Sequence, residues 1–252
     1  MKLARFAALA AVTLPVCTFN AYADDEDEEV PFEVAKVFFQ LNDTDGDLGI
    51  HAKIDGGPWK RTSITAPNDR AIFVVSTRGK LRRQGMTELS FESAEPTFDE
   101  LDPAVFFKRF PEGEYEVEGR GLEGEELESE VMLSHVLPAA PGNLLVSGLT
   151  TPDDCDEGPL PEVGANVIIS WDPVTESHPE LGRSGDIEIT RYEVSVEREE
   201  PTLTVTADLP PTVTGFTIPD GLLESGDEIK FQILATDAGG NETSAESCFT
   251  VE

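Results

Sequence analysis

Hydrophobic positions along this chain recur in short runs and at period two rather than at helical spacing. Val34, Val37, Phe38, Phe39 and Leu41 form a first run, closed by the turn-rich stretch Asn42-Asp43-Thr44-Asp45-Gly46-Asp47. Ile50-His51-Ala52-Lys53-Ile54 then alternates up to Gly56-Gly57-Pro58. Trp59–Ile64, Ala71–Thr77 and Thr87–Glu92 read as further strands, bounded by turn chemistry such as Ala66-Pro67-Asn68-Asp69. Around Tyr115–Glu118 and Glu126–His135, Glu alternates with apolar residues, which marks one wet and one buried face. One helix interrupts the series, with Asp102 as N-cap, Pro103 at the first helical position and Ala104–Phe110 running to Pro111. Phe106 and Phe110 are four apart and share a face, so they are predicted to plug one end of a sandwich. The pattern predicts an all-β first domain over residues 34–137, a β-sandwich of about seven strands with one short helix. Leu137-Pro138-Ala139-Ala140-Pro141-Gly142 marks the boundary with a second domain, residues 138–252.

In that second half, Ala140-Pro141-Gly142 precedes a first strand, and Val167-Ile168-Ile169-Ser170-Trp171-Asp172-Pro173 supplies a second with a core Trp. Ile189-Thr190-Arg191-Tyr192-Glu193-Val194-Ser195-Val196 is a third, with Tyr192 expected beside Trp171. Thr214–Ile218, Leu222-Leu223 and Glu228–Ala235 follow, and Ala235-Thr236-Asp237-Ala238-Gly239-Gly240-Asn241 turns into the last strand. In this order and spacing, residues 138–252 resemble the fibronectin type III family, which implies an Ig-like β-sandwich and a role in binding or spacing. The sequence departs from the family at Ile229, where a Tyr usually bonds its hydroxyl back to the chain.

The N-terminus reads as an export signal of bacterial type. Lys2 and Arg5 flank Leu3 and Ala4, Phe6–Val16 is apolar, and Ala21-Tyr22-Ala23 precedes the acidic run Asp24–Glu29. The apolar run is too short to span a bilayer. A lipidated Cys17 would want a small residue before it, and Pro15-Val16 fits that poorly. Cleavage after Ala23 would place the mature chain in the periplasm or outside the cell, with residues 24–33 as an acidic, disordered leader. Two cysteines then remain, Cys155 and Cys248, which in an exported chain are most simply a disulfide.

Charge narrows the partners. The 252 residues carry a formal charge of −32, and loss of residues 1–23 removes Lys2 and Arg5 but no acid, leaving −34. Such a charge disfavours nucleic acid and anionic membranes and favours cations and solubility. Of the Lys and Arg residues, twelve lie between residues 24 and 137 and only Arg183, Arg191, Arg198 and Lys230 follow.

Candidate chemistry is sparse. Asp43, Asp45 and Asp47 alternate as in calcium loops, but an EF-hand would need Gly where Leu48 stands and Glu where Ile54 stands. A hairpin turn explains the same residues. Arg78, Lys80, Arg82 and Arg83 form a basic cluster, either a solvated turn paired with neighbouring Glu residues or a dock for an anionic polymer or the acidic second domain. Trp59 is a stacking platform for sugars or an inward strand residue. His51, His135 and His178 have no Gly-flanked Ser nearby, and no phosphate loop or dinucleotide fingerprint occurs. Carboxylates are too abundant for any pair of them to signal catalysis. Asn42-Asp43-Thr44 and Asn241-Glu242-Thr243 are formal glycosylation sequons.

The leading expectation is an exported, non-enzymatic binding or structural protein without a cofactor, meeting an unidentified protein or polysaccharide surface. The alternatives are a calcium-dependent carbohydrate- or cell-surface-binding accessory protein and, more remotely, a carboxylate-pair hydrolase. Intact-mass measurement of the exported protein is expected to show a chain starting at Asp24; retention of residues 1–23, or a lipid on Cys17, would overturn the export reading.

Overall fold

The structure, a computed structural model, describes residues 29–252 except 157, 158, 165 and 220. The signal segment and residues 24–28 of the leader lie outside the described residues. The chain is ordered before residue 34. Val30 pairs with Leu127, and Phe32 is buried, its backbone N–H donating to Ser129 Oγ at 3.0 Å. The expected disordered leader therefore does not extend to residue 33, because Phe32 fills space that Gly56 and Gly119 leave above the core.

Six strands make the first domain: β1 (Val34–Asn42), β2 (Asp47–Ala66), β3 (Arg70–Ser76), β4 (Met86–Glu92), β5 (Gly113–Gly121) and β6 (Glu126–Leu133). There are six rather than about seven because Ile50–Ile54 and Trp59–Ile64 belong to one strand of twenty residues. Gly56-Gly57-Pro58 is a corner, not a stop. Residues 51–55 of β2 lie between β1 and β4, whereas residues 61–65 lie between β3 and β5, with the register breaking around the corner. Folding one strand across both layers gives a barrel-like sandwich around Phe39, Ile54, Trp59, Ile64, Tyr115 and Leu133.

Two helices occur where one was expected: α1 (Gly79–Gln84) between β3 and β4, and α2 (Pro103–Arg109) before β5. Asp102 Oδ1 accepts from the Ala104 N–H at 2.8 Å, the cap read from the sequence. Phe106 and Phe107 are buried against Phe39, while Phe110 is half-buried beside Phe106. Tyr115 donates its hydroxyl hydrogen to Pro111 O at 3.1 Å, four residues upstream. The first domain thus has the tyrosine device that Ile229 denies the second.

The second domain stacks two sheets around Trp171, Tyr192, Val194, Ile229, Phe231 and Phe249. One sheet runs in the order β13 (Gly215–Thr217), β10 (Ile168–Ser170), β7 (Leu145–Val146) and β8 (Leu149–Thr150). The other runs β12 (Leu203–Leu209), β11 (Ile189–Arg198), β14 (Glu228–Asp237) and β15 (Glu242–Val251), and β9 (Glu162–Val163) joins the end of β15. Taking β7 as the opening strand, this is fibronectin type III connectivity. Trp171 and Tyr192 meet edge-on at 5.3 Å, and the Val174 N–H donates to the Tyr192 hydroxyl at 2.8 Å.

The two domains share a sheet. Residues 40–42 of β1 pair in parallel with residues 242–244 of β15, so one eleven-stranded sheet runs through both. Cys155 and Cys248 form a disulfide with Cα atoms 5.8 Å apart, which ties the loop before β9 to the last strand. Thiol titration of the denatured mature protein is expected to find no free thiol before reduction and two after it. Reduction should lower urea stability, by at most about 4–5 kcal/mol in the chain-entropy account of a loop this long.

Candidate functional site

The junction between domains collects Asp43, His135, His178 and Asn241 from among the residues that the sequence singled out, and it starts from backbone geometry. The turn after β14 brings Asp237 back over Asn241, whose N–H donates to Asp237 Oδ1 at 2.9 Å. That turn aims the Asn241 side chain into the first domain, where it is 1% exposed. Its Oδ1 accepts from the Phe39 N–H at 2.9 Å, and its Nδ2 donates to Ser134 O at 2.8 Å and to Val136 O at 2.9 Å. Every hydrogen-bonding position of that amide but one acceptor lone pair is used, and the pattern sets which end is oxygen. A sequon Asn buried in this way is a structural residue.

Asp43, Asp45 and Asp47 do not converge on one point. His178 Nδ1 accepts from the Leu181 N–H at 2.9 Å, so Nε2 carries the hydrogen and donates to Asp43 Oδ1 at 2.9 Å. Asp45 accepts from the Asn42 amide at 3.1 Å. Asp47 faces Glu95, Asp45 and Glu246; burial and then those three charges push its carboxyl up to about 6. Glu246 is held by Asn42 and Gln232, each at 3.1 Å, and by an ion pair with Lys230. Among the described residues no three His, Cys, Asp or Glu side chains are gathered to hold a metal ion. Asp43 is thus engaged at the domain joint, and Asp47 stands among carboxylates that disfavour its charged form.

Beside this joint lies a cleft of about 510 Å³ lined by Asp43, Thr44, Asn143, Thr151, Asp153 and Glu246 among others. It is polar, and Asp43 and Glu246 are already engaged. His135 is wedged against Phe39 and Phe107 with Nε2 2.8 Å from Phe110 O, and His51 Nε2 lies 2.8 Å from Glu95. All three histidines are thus engaged in packing or hydrogen bonds. Across the joint, Arg183 donates to Glu112 Oε1 at 3.1 Å and the His135 N–H donates to the same oxygen at 2.8 Å. Burial would raise the Glu112 carboxyl, but those two partners outweigh it and hold it below the usual range. Gly182 completes the contact. Its φ is +72°, and a Cβ there would sit 2.1 Å from His135 O.

The remaining candidates lie apart from the joint. Trp59 is fully buried in the first core, so it offers no face to a sugar; its strand carries it inward opposite Met86 and Gly121. Arg78, Lys80, Arg82 and Arg83 are exposed on and before α1, and among the described residues none joins an ion pair. The expected pairing with neighbouring Glu is absent from that set. Sequence reasoning named Asn241 as a sequon, His178 among the histidines and Asp237 in a turn, and missed the part that each plays at the joint. The only local signal was the Asp-Ala-Gly-Gly-Asn turn, which announces tight geometry but not its partner.

Burial pushes the Asp237 carboxyl up to about 6 despite the N–H groups of Asn241, Gly239 and Gly240. Its folded pKa therefore lies above its unfolded one. The stability it contributes is complete below about pH 4 and is lost as pH rises through about 6. Asp237→Asn keeps an acceptor for Asn241 without the charge. It is expected to exceed the parent in urea stability at pH 7.5 by up to about 3 kcal/mol, with the gap closing by pH 4. A gap independent of pH would refute this.

No protein-family model matches the chain, and no curated protein sequence matches it. Solved structures do. A two-domain fibronectin type III segment of chicken tenascin is 12% identical, covering 86% of this chain and 97% of that one, at a TM-score of 0.32. The FN1–FN3 domains of chicken CNTN1 are 10% identical over 88% and 65%, at 0.34, and a cytokine receptor complex is 14% identical over 86% and 96%, at 0.28. At these scores the overlays carry no argument, and the fibronectin type III fold of the second half rests on its strand connectivity.

Proposed function

We propose that this is an exported, non-enzymatic binding or structural protein whose two β domains act as one rigid body. The observation that carries the reading is the shared sheet, with Asn241 locking β15 onto β1. Domains joined only by a linker move against each other by default. Here a backbone ladder, a buried amide, the His178–Asp43 hydrogen bond and the Arg183–Glu112 ion pair oppose that motion. The engagement of the histidines and of Asp43 and Glu246 supports a scaffold over a catalyst. Export is supported by the disulfide; no helix among the described residues is long and apolar enough to cross a membrane.

Calorimetry of the mature protein should give one cooperative transition. Asn241→Ala strands the Phe39 N–H and two carbonyls and should cost about 3 kcal/mol, splitting the transition into two. Two independent transitions in the parent would sink the rigid-body reading. Turnover in a panel of ester, peptide and glycoside substrates, abolished by a single carboxylate substitution, would sink the non-enzymatic one.

A further inference from the structure

The four bases after residue 138 are all neutralised locally: Arg183 by Glu112, Arg191 by Asp208, Glu193 and Glu242, Arg198 by Asp227, and Lys230 by Glu246. At the far end of the first domain the opposite holds. Arg78, Lys80, Arg82 and Arg83 stand exposed within six positions, in a chain with acids to spare. Arg78 and Arg82 are four apart, Lys80 and Arg83 three apart, spacings at which like charges destabilise a helical turn. Packing does not offset that cost, because α1 buries none of its residues, and Leu81 is 49% exposed among the bases. Gly85 fixes the C-terminal end of the turn at φ +79°, where a Cβ would meet Pro58 at 2.8 Å. The turn is therefore an exposed basic tip whose four bases join no ion pair among the described residues.

We propose that this tip docks a linear anionic polysaccharide, with Arg and Lys meeting its carboxylates or sulfates and Leu81 covering a sugar face. The inference rests on the reading of a non-enzymatic binding protein and names its partner class. The net charge selects among polyanions. The field of an exposed charge falls off over about 8 Å at physiological salt, so a thin chain crossing the tip meets the local bases and little of the acidic remainder. A planar anionic bilayer faces far more of that remainder and is repelled by it.

The test uses the mature protein and fluorescein-labelled alginate, a linear polyuronate, followed by anisotropy at 50 and 150 mM salt. Binding is expected, weaker at the higher salt. A variant carrying Arg78→Ala, Lys80→Ala, Arg82→Ala and Arg83→Ala should bind at least about tenfold more weakly with its melting temperature unchanged. A variant carrying Lys108→Ala and Arg109→Ala, on the exposed end of α2, should bind as the parent does. No binding at 50 mM salt, equal binding by the fourfold variant, or binding to phosphatidylglycerol vesicles in place of alginate would each overturn the proposal. If such a failure accompanies a single calorimetric transition, only the partner assignment falls; two transitions would take the rigid-body reading with them.

Discussion

Asn241 stands where the last strand of the second domain enters the sheet of the first, and its amide satisfies backbone groups from two separate segments there: the Phe39 N–H and the carbonyls of Ser134 and Val136. The parallel ladder between β1 and β15 has only three residue pairs, too few to set a register by itself. A buried amide does set it. One-residue slippage would leave both ends of the side chain unpaired in a dry site, a penalty of about 1–3 kcal/mol for each stranded group. The other contacts across the joint follow from that register. Asp43 then meets His178, the Thr44 hydroxyl accepts from the Glu246 N–H at 2.8 Å, and Arg183 reaches Glu112.

The acidic composition is handled differently in the two halves. After residue 138 each scarce base is spent against one or more carboxylates, and Arg191 alone meets three. Where no base is at hand, carboxyls are crowded or buried, and Asp47 and Asp237 are both pushed up to about 6 as a result. In the first domain some like charges are left facing each other. Glu116 lies opposite Glu130 and Glu118 opposite Glu128 on neighbouring strands, an arrangement that weakens the pairing of a sheet. The surface is built for solvation more than for cohesion, which places the burden of stability on the two cores, the disulfide and the joint.

What was legible in the sequence was local. Alternation marked the strands, Asp102-Pro103 marked the start of α2, and Trp171 with Tyr192 marked a core whose contact has the expected geometry. The pairing of Cys155 with Cys248 was legible because only these two cysteines follow the predicted signal segment. What depended on distant partners was not. Gly56-Gly57-Pro58 looks like the end of a strand, and only the positions of β1, β3, β4 and β5 show that the strand turns a corner there instead. The alternating aspartates look alike in sequence, yet a histidine 135 residues away takes one of them for the joint. Asn241 read as a sequon because a tripeptide carries no information about burial.

The same joint constrains where a partner can act. In this connectivity β15 is an edge strand, and the turn between β14 and β15 is one of the loops free at the end of the sandwich. Here β1 covers the first part of that edge, β9 covers its end, and Asn241 anchors the turn to the first domain while Ala238 and Gly239 stay exposed. Strand addition at the two ends of β15 is therefore closed. The outer edge of β12 remains, as do the surfaces farthest from the joint. With both ends of β15 covered and Asn241 committed to the joint, the surfaces farthest from the joint are left free, and α1 supplies one whose charge opposes that of the whole.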